Sequence, residues 1–363
     1  MKFGIFLLGE KPPTMSGAEV YQRNLEQARV ADELGYDTVW LAEHHFSPYG
    51  TIADPLTFAA AVAATTKNCR IGSAVAIPAF HNPIKLAERA AMVDCISNGR
   101  LDLGVGRGYQ EHEFRLFNIP MDESTERFIE AVGVVENLLN NTTYSWDGKF
   151  SKGEDICIYP RPVQERIPIY VAVLRTASTI DWVVEHGYGC MVGNPYIPNP
   201  ELGASLKLLQ ESKDRAGKIE QDNDVWALTT AFCDHDRDFA RSYPRESVEL
   251  NLKFLQEYAA PFQRGGEVPY DYQAYSDWYT RLDKQDIATY DTMLDMNVTM
   301  IGDPDDLIRK ILFMHDGDGW QNFILTVNKG GAMDQEKVLS AMKLIATEVI
   351  PVVRAESSTA KSR

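Results

Sequence analysis

The sequence carries no surplus of positive charge, no cysteine framework and no long apolar run, and each absence removes a class of function. Lys and Arg number 36 against 52 Asp and Glu, a net charge of −16 over 363 residues. So acidic a chain disfavours a nucleic-acid or anionic-membrane partner. An anionic ligand would need a local basic spot, which makes single arginines beside glycines informative. The five cysteines (Cys69, Cys95, Cys157, Cys190, Cys233) are scattered, odd in number and form no CxxC pair. Neither a disulfide framework nor a structural zinc site is implied, which suits a cytoplasmic protein in a reducing compartment. No stretch approaches the ~20 apolar residues of a membrane span. The opening MKFGIFLLGEK has too short an apolar run for a signal peptide, so Phe3–Leu8 reads as a buried strand. Histidine is scarce at seven residues. With no HxH or HExxH spacing, no metal site is expected, and without GxSxG a serine nucleophile lacks support.

What is present is a large apolar fraction, 44%, arranged as short runs alternating with helical patterns. Strands are expected at Lys2–Leu8, Thr38–Ala42, Arg70–Ile77, Leu101–Val105, Ile169–Val173, Gly189–Val192, Val225–Cys233 and Phe323–Val327. Helical spacing lies between them, as in Ala18–Leu34, Leu56–Thr66, Pro83–Ser97, Thr125–Asn140, Thr176–His186 and Leu202–Ala216. Nearly continuous apolar strands alternating with helices argue for a parallel sheet covered by helices. About eight strand–helix units favour a closed (β/α)8 TIM barrel with insertions over an open doubly wound sheet. A single domain over residues 1–350 is expected. Two segments break the rhythm: a polar excursion at 141–166, and a long insertion at 234–285. The insertion carries Gly265-Gly266 and the aromatics Tyr270, Tyr272, Tyr275, Trp278 and Tyr279, and is a candidate lid or a partner surface. The small polar tail 355–363 is expected to be disordered.

Three stretches carry chemistry. In Thr38–Phe46, TVWLAEHHF, an apolar strand ends by presenting Glu43, His44 and His45 together. The carboxyl edge of a parallel sheet is where ligands bind, and histidine titrates near neutral pH. In Leu101–Tyr109, LDLGVGRGY, Gly104, Gly106 and Gly108 flank Arg107. Glycines let backbone amides approach an anion and arginine clamps a phosphate with two donors, although a glycine-rich turn with a solvated arginine fits equally. After the strand Ile169–Val173 come Arg175, Thr176, Ser178 and Thr179. Hydroxyls at a helix start serve as N-caps or as part of an anion site.

With these residues in place the chain resembles the bacterial luciferase-like flavin-dependent monooxygenases, above all the α (catalytic) subunit of bacterial luciferase. The matching phrases are MKFGIFLL, GYDTVWLAEHHF, NGRLDLGVGRGYQEHEFRLF, IPIYVAVLRTAST and AMKLIATEVIPVV. The resemblance implies a (β/α)8 barrel that binds reduced FMN at the carboxyl ends of its strands. The flavin phosphate would lie near Arg107, Arg175, Thr176, Ser178 and Thr179, and a non-prolyl cis peptide at Ala74-Val75 under the flavin ring. His44 falls on the family's catalytic base and His45 on its neighbour. Gly106 stands where luciferase has its reactive cysteine. The implied reaction is two-component: a separate flavin reductase supplies FMN, and O2 forms a flavin hydroperoxide that oxygenates a small organic substrate, plausibly an aldehyde or ketone. Glu43 and Glu113 would tune the histidine, while Phe46, Tyr109, Phe114 and Phe117 would wall the substrate pocket. A homodimer is implied as well. Deazaflavin-dependent hydride transfer and a non-catalytic flavin-binding subunit are the rival readings.

Overall fold

Eight apolar runs become parallel strands because their backbone groups, buried among Val, Ile, Leu and Phe, find partners only in neighbouring strands. The computed structural model describes residues 1–173, 176–193, 199–259, 272, 289–295 and 299–360. Its strands are β1 (Lys2–Leu7), β2 (Thr38–Leu41), β3 (Arg70–Ser73), β4 (Leu101–Val105), β5 (Tyr144–Asp147), β6 (Lys152–Ile156), β7 (Ile169–Val173), β8 (Gly189–Val192), β9 (Val225–Cys233), β10 (Met300–Gly302) and β11 (Asn322–Thr326). Parallel pairing runs β1-β2-β3-β4-β7-β8-β9-β11 and returns to β1, closing the ring. This is the (β/α)8 barrel expected from the sequence. The ring places β4 and β7 across the mouth from β11 and β1, a relation that matters for the site.

The barrel interior is filled, not hollow. Trp40 on β2 is fully buried and meets Tyr170 and Trp226 edge-on, each with ring centroids 5.4 Å apart. Room for that indole comes from β3, where a Cβ on Gly72 would lie 2.1 Å from the Trp40 ring. Burying aromatics of this size supplies much of the core energy. Around the ring, helices begin at side-chain caps. Ser16 and Glu19 form a capping box before Gly17–Leu34, Asp54 caps Pro55–Thr65, and Asn82 caps Pro83–Ser97. Each cap satisfies helix amides that have no intrahelical acceptor.

Four expectations need amendment. The strand drawn through Ile77 stops at Ser73, because the Ala74-Val75 peptide is cis and turns the chain. It regains the sheet only where Ala76 exchanges backbone hydrogen bonds with Gly104 and Gly106. The excursion at 141–166 contains the antiparallel hairpin β5–β6, whose alternating half-exposed residues keep it polar. A short strand absent from the sequence reading, β10, extends the sheet beside the outer end of β9. The tail is helical through Ala360, in Ile350–Ala360, where buried Ile350 and Val353 anchor the first turn and Ala and Glu carry the helix on. Of the insertion, the structure describes helices Arg237–Ser242 and Arg245–Phe254, a π-turn at Leu255–Ala259, and Tyr272. Gly265-Gly266 and the other aromatics of that segment lie outside the described residues.

Candidate active site

A cavity of about 370 Å³ opens at the carboxyl ends of the strands. Its floor is apolar, with Phe6, Leu8, Met191, Leu228 and Ile324. Its rim carries the polar groups: Glu43 and His44 after β2, Arg107 after β4, and Thr176, Ser178 and Thr179 after β7. Ala74 and Val75 line it after β3, with Gly106 beside them. A Cβ on Gly106 would lie 2.4 Å from Val75 Cγ2, so with valine at 75 this position has no room for a side chain.

The acid–base groups sit in a network closed on the protein's own side. Glu43 is buried and accepts from His45 Nε2 at 2.9 Å, from His81 Nε2 at 2.9 and 3.0 Å, and from the Ile77 amide at 2.8 Å. Burial acts to raise this carboxyl, but the hydrogen bonds from His45, His81 and Ile77 outweigh it and hold it below the ordinary value. Arg89 donates to His81 Nδ1 at 3.0 Å and pairs with Asp54. An arginine only donates, so His81 Nδ1 is the acceptor and its proton is on Nε2, facing Glu43. Next to this chain, Glu113 is fully buried and takes His44 Nδ1 at 3.2 Å and the His45 amide at 2.8 Å on one oxygen. A carboxylate accepting from Nδ1–H fixes the His44 tautomer and leaves Nε2 as its basic nitrogen. Tyr49 and Tyr109 meet the His44 ring edge-on, at 4.8 and 5.8 Å.

Across the rim the polar groups sit at the start of a helix and after β4. Thr176 is the N-cap of Ala177–His186, yet its side chain makes no hydrogen bond to the first-turn amides. Arg107 donates to Thr125 Oγ1 at 2.9 Å and lies over the Tyr272 ring, 4.3 Å from its centroid. Tyr272 is itself fully buried and donates to the Gly108 carbonyl at 3.0 Å. Arg175, the other arginine singled out here, lies outside the described residues.

Of the residues proposed as pocket walls, Glu43 and Tyr109 line the cavity and the others do not. Phe46, at φ +59°, turns outward and is 55% exposed. It packs with Phe117 and Phe80 around His45 on the outer rim. Phe114 is buried beneath Gly108, against Phe80. Glu113 and His45 lie behind the wall, hydrogen-bonded to His44 and Glu43. The sequence reading passed over Thr125, Tyr49 and Trp182 of the wall, the His81–Arg89 relay, and Lys329 at the floor. Only His81 gave a signal, as one of seven histidines.

The sequence profile described as luciferase-like monooxygenase matches residues 1–317. The alkanal monooxygenase alpha chain of Photorhabdus luminescens is 27% identical over 98% of this chain and 98% of its own. The oxygenase component of the flavin-dependent trigonelline monooxygenase of Acinetobacter baylyi is 25% identical over 97% of this chain and 95% of its own. Among solved structures, a monooxygenase from Streptomyces bottropensis superposes with a TM-score of 0.82, at 29% identity, over 97% of this chain and 99% of its own.

Proposed function

The chain belongs to the luciferase-like monooxygenases, and from that premise we propose that it is the oxygenase of a two-component system. It takes reduced FMN from a separate reductase and uses O2 to oxygenate a small organic substrate, an aldehyde or ketone. The observation that carries this reading is a single cavity with an acid–base pair on one flank and groups able to bind an anion on the other. Thr176, Thr179 and the first-turn amides of Ala177–His186, with Arg107, suit a phosphate. The shelf of Ala74, Val75 and side-chain-free Gly106 suits a flat ring. These features fit a flavin mononucleotide.

Bound reduced flavin supplies the electron pair that lets dioxygen react with a closed-shell organic molecule. The protein's share is positional. Arg107, Thr125 and the threonines hold the anionic tail, and the apolar floor excludes water around the reacting atoms. His44 Nε2 takes or hands over one proton, with Glu113 holding the ring at Nδ1. His45 and His81 keep Glu43 charged and in place. Met92 and Ile96, exposed on one face of the helix Pro83–Ser97, support a homodimer, which light scattering checks.

The test is an anaerobic titration with reduced FMN, followed by admission of O2 with a panel of aldehydes and ketones. Saturable binding and substrate-dependent product carrying one oxygen atom from O2 are expected. Failure to bind reduced FMN, or tighter binding of reduced deazaflavin with no oxygen uptake, would overturn the assignment.

A further inference from the structure

At the end of the cavity opposite the phosphate groups lies a second polar pole. Lys329, just beyond β11, lines the cavity and is 2% exposed. Glu10, just beyond β1, is its electrostatic counterpart and is 5% exposed. β1 and β11 are neighbours in the ring, across the mouth from β4 and β7. The two poles therefore face each other over a floor of Phe6, Leu8, Leu228 and Ile324.

The local structure holds this pole rigidly. Gly330 and Gly331 follow the lysine with φ of +88° and +73°, which side-chain-bearing residues rarely adopt. A Cβ on Gly330 would lie 1.7 Å from the Ser247 carbonyl oxygen. The Gly330 amide donates to Glu10 Oε2 at 2.8 Å, and Asn251 Nδ2 donates to Glu10 Oε1. Ser247 Oγ donates to the Lys329 carbonyl at 2.6 Å, so the helix Arg245–Phe254 clamps both residues. Burial pushes the Lys329 ammonium down while Glu10 acts to hold its charge.

We propose that Lys329 reads an anionic oxygen on the substrate, a carboxylate or an acidic enol or phenol, so the substrate is an acid-bearing carbonyl compound, not a simple aliphatic aldehyde. An ammonium has three donors and can serve a ligand besides its partners in the protein. An aliphatic chain filling this floor would lie against a buried charge and offer it nothing. An anionic oxygen in the same place can accept a charge-assisted hydrogen bond. The inference rests on the reading of this cavity as the flavin and substrate site.

The test compares matched probes: benzaldehyde with 4-carboxybenzaldehyde, and octanal with 8-oxooctanoate. Binding to wild type, Lys329→Met and Lys329→Arg is measured by calorimetry without O2, and reduced FMN binding is titrated separately on each. The acid member of a pair should bind wild type about tenfold tighter than the neutral one, as expected for a hydrogen bond to a charged group. Lys329→Met should erase that preference, Lys329→Arg should restore part of it, and reduced FMN affinity should stay unchanged in both. Equal binding of the paired probes, tighter binding of the neutral ones, or no binding of either acid overturns the proposal. Should the acid preference hold while reduced FMN fails to bind any form, the cofactor assignment falls and the anion pole stands.

Discussion

The two flanks of the cavity mouth are built on opposite principles. On the β2 side the polar groups answer one another: Asp54, Arg89, His81, Glu43 and His45 form one chain, and Glu113 joins His44 to the His45 backbone through Oε1, with Oε2 buried and unpaired among the described residues. On the β7 side the N-cap hydroxyl of Thr176 leaves the helix amides alone, unlike Ser16, Asp54, Asn82, Asp236 and Asp303 at other helices. On the proposed reading one flank handles a proton and the other a ligand. Substitutions should separate accordingly, affecting turnover or stability on the first and affinity on the second.

The largest effect is expected at His44. Replacing it with alanine removes a ring that lines the cavity with its orientation fixed by Glu113 and Nε2 as its basic nitrogen, and general acid–base catalysis is typically worth about 10²–10⁴ in rate. We expect a loss of that order in kcat, with reduced FMN affinity within about twofold of wild type, or about 0.4 kcal/mol. Single-turnover kinetics with preloaded reduced FMN checks both. Unchanged turnover would reduce the β2 flank to packing.

Glu43 comes next, and its effect is on stability. Glu43→Ala strands the buried Ile77 amide and the half-buried His45 and His81 donors and should cost roughly 3 kcal/mol, read by urea unfolding. The charge also carries a pH signature. The folded carboxyl lies below its unfolded value of 4.5, so the folded state binds fewer protons there and its stability falls as pH drops from 4.5 through the folded value. Glu43→Gln should flatten that acid limb relative to wild type. An identical acid limb in both proteins would mean that the network does not hold Glu43 charged.

How much of this was legible beforehand follows the same division. Strands, ring closure and the Glu43-His44-His45 cluster were readable because each is local: an apolar run, a strand count, and three polar residues adjacent in sequence at a strand end. The relay was not, since His81 and Arg89 reach Glu43 only through folding, from the loop after β3 and the helix beyond it. Which aromatics line the cavity was not legible, for a related reason. Phe46, Phe114 and Phe117 have the right chemistry for a wall, but the positive φ of Phe46 and the path of the helix Glu111–Leu116 decide which way they face. Lys329 escaped notice because a lone lysine in a glycine turn looks like any surface loop until the barrel closes.

On the ligand flank, Arg107→Ala should weaken reduced FMN binding by about ten- to a hundredfold, the range for losing a charge-assisted contact to phosphate. Riboflavin, which has no phosphate, should bind wild type and variant alike. An equal loss for both ligands would instead point to collapse of the Tyr272 contact over the guanidinium.

The smallest effect is the most diagnostic. An N-cap serine, threonine or aspartate replaced by alanine usually costs about 1 kcal/mol. Asp54→Ala and Ser16→Ala should behave that way, because both side chains accept amide hydrogen bonds. Thr176→Ala removes no such bond, so the apo protein should unfold within about 0.5 kcal/mol of wild type, the scatter of neutral surface changes. Its reduced FMN affinity should nonetheless fall about threefold to tenfold, as expected for losing one hydroxyl contact to a bound anion. Urea unfolding of the apo protein and an anaerobic titration give the two numbers. A Thr176→Ala protein that loses stability like the Asp54 variant while keeping its affinity would show this hydroxyl to be an ordinary helix cap, and the contrast between the flanks would close.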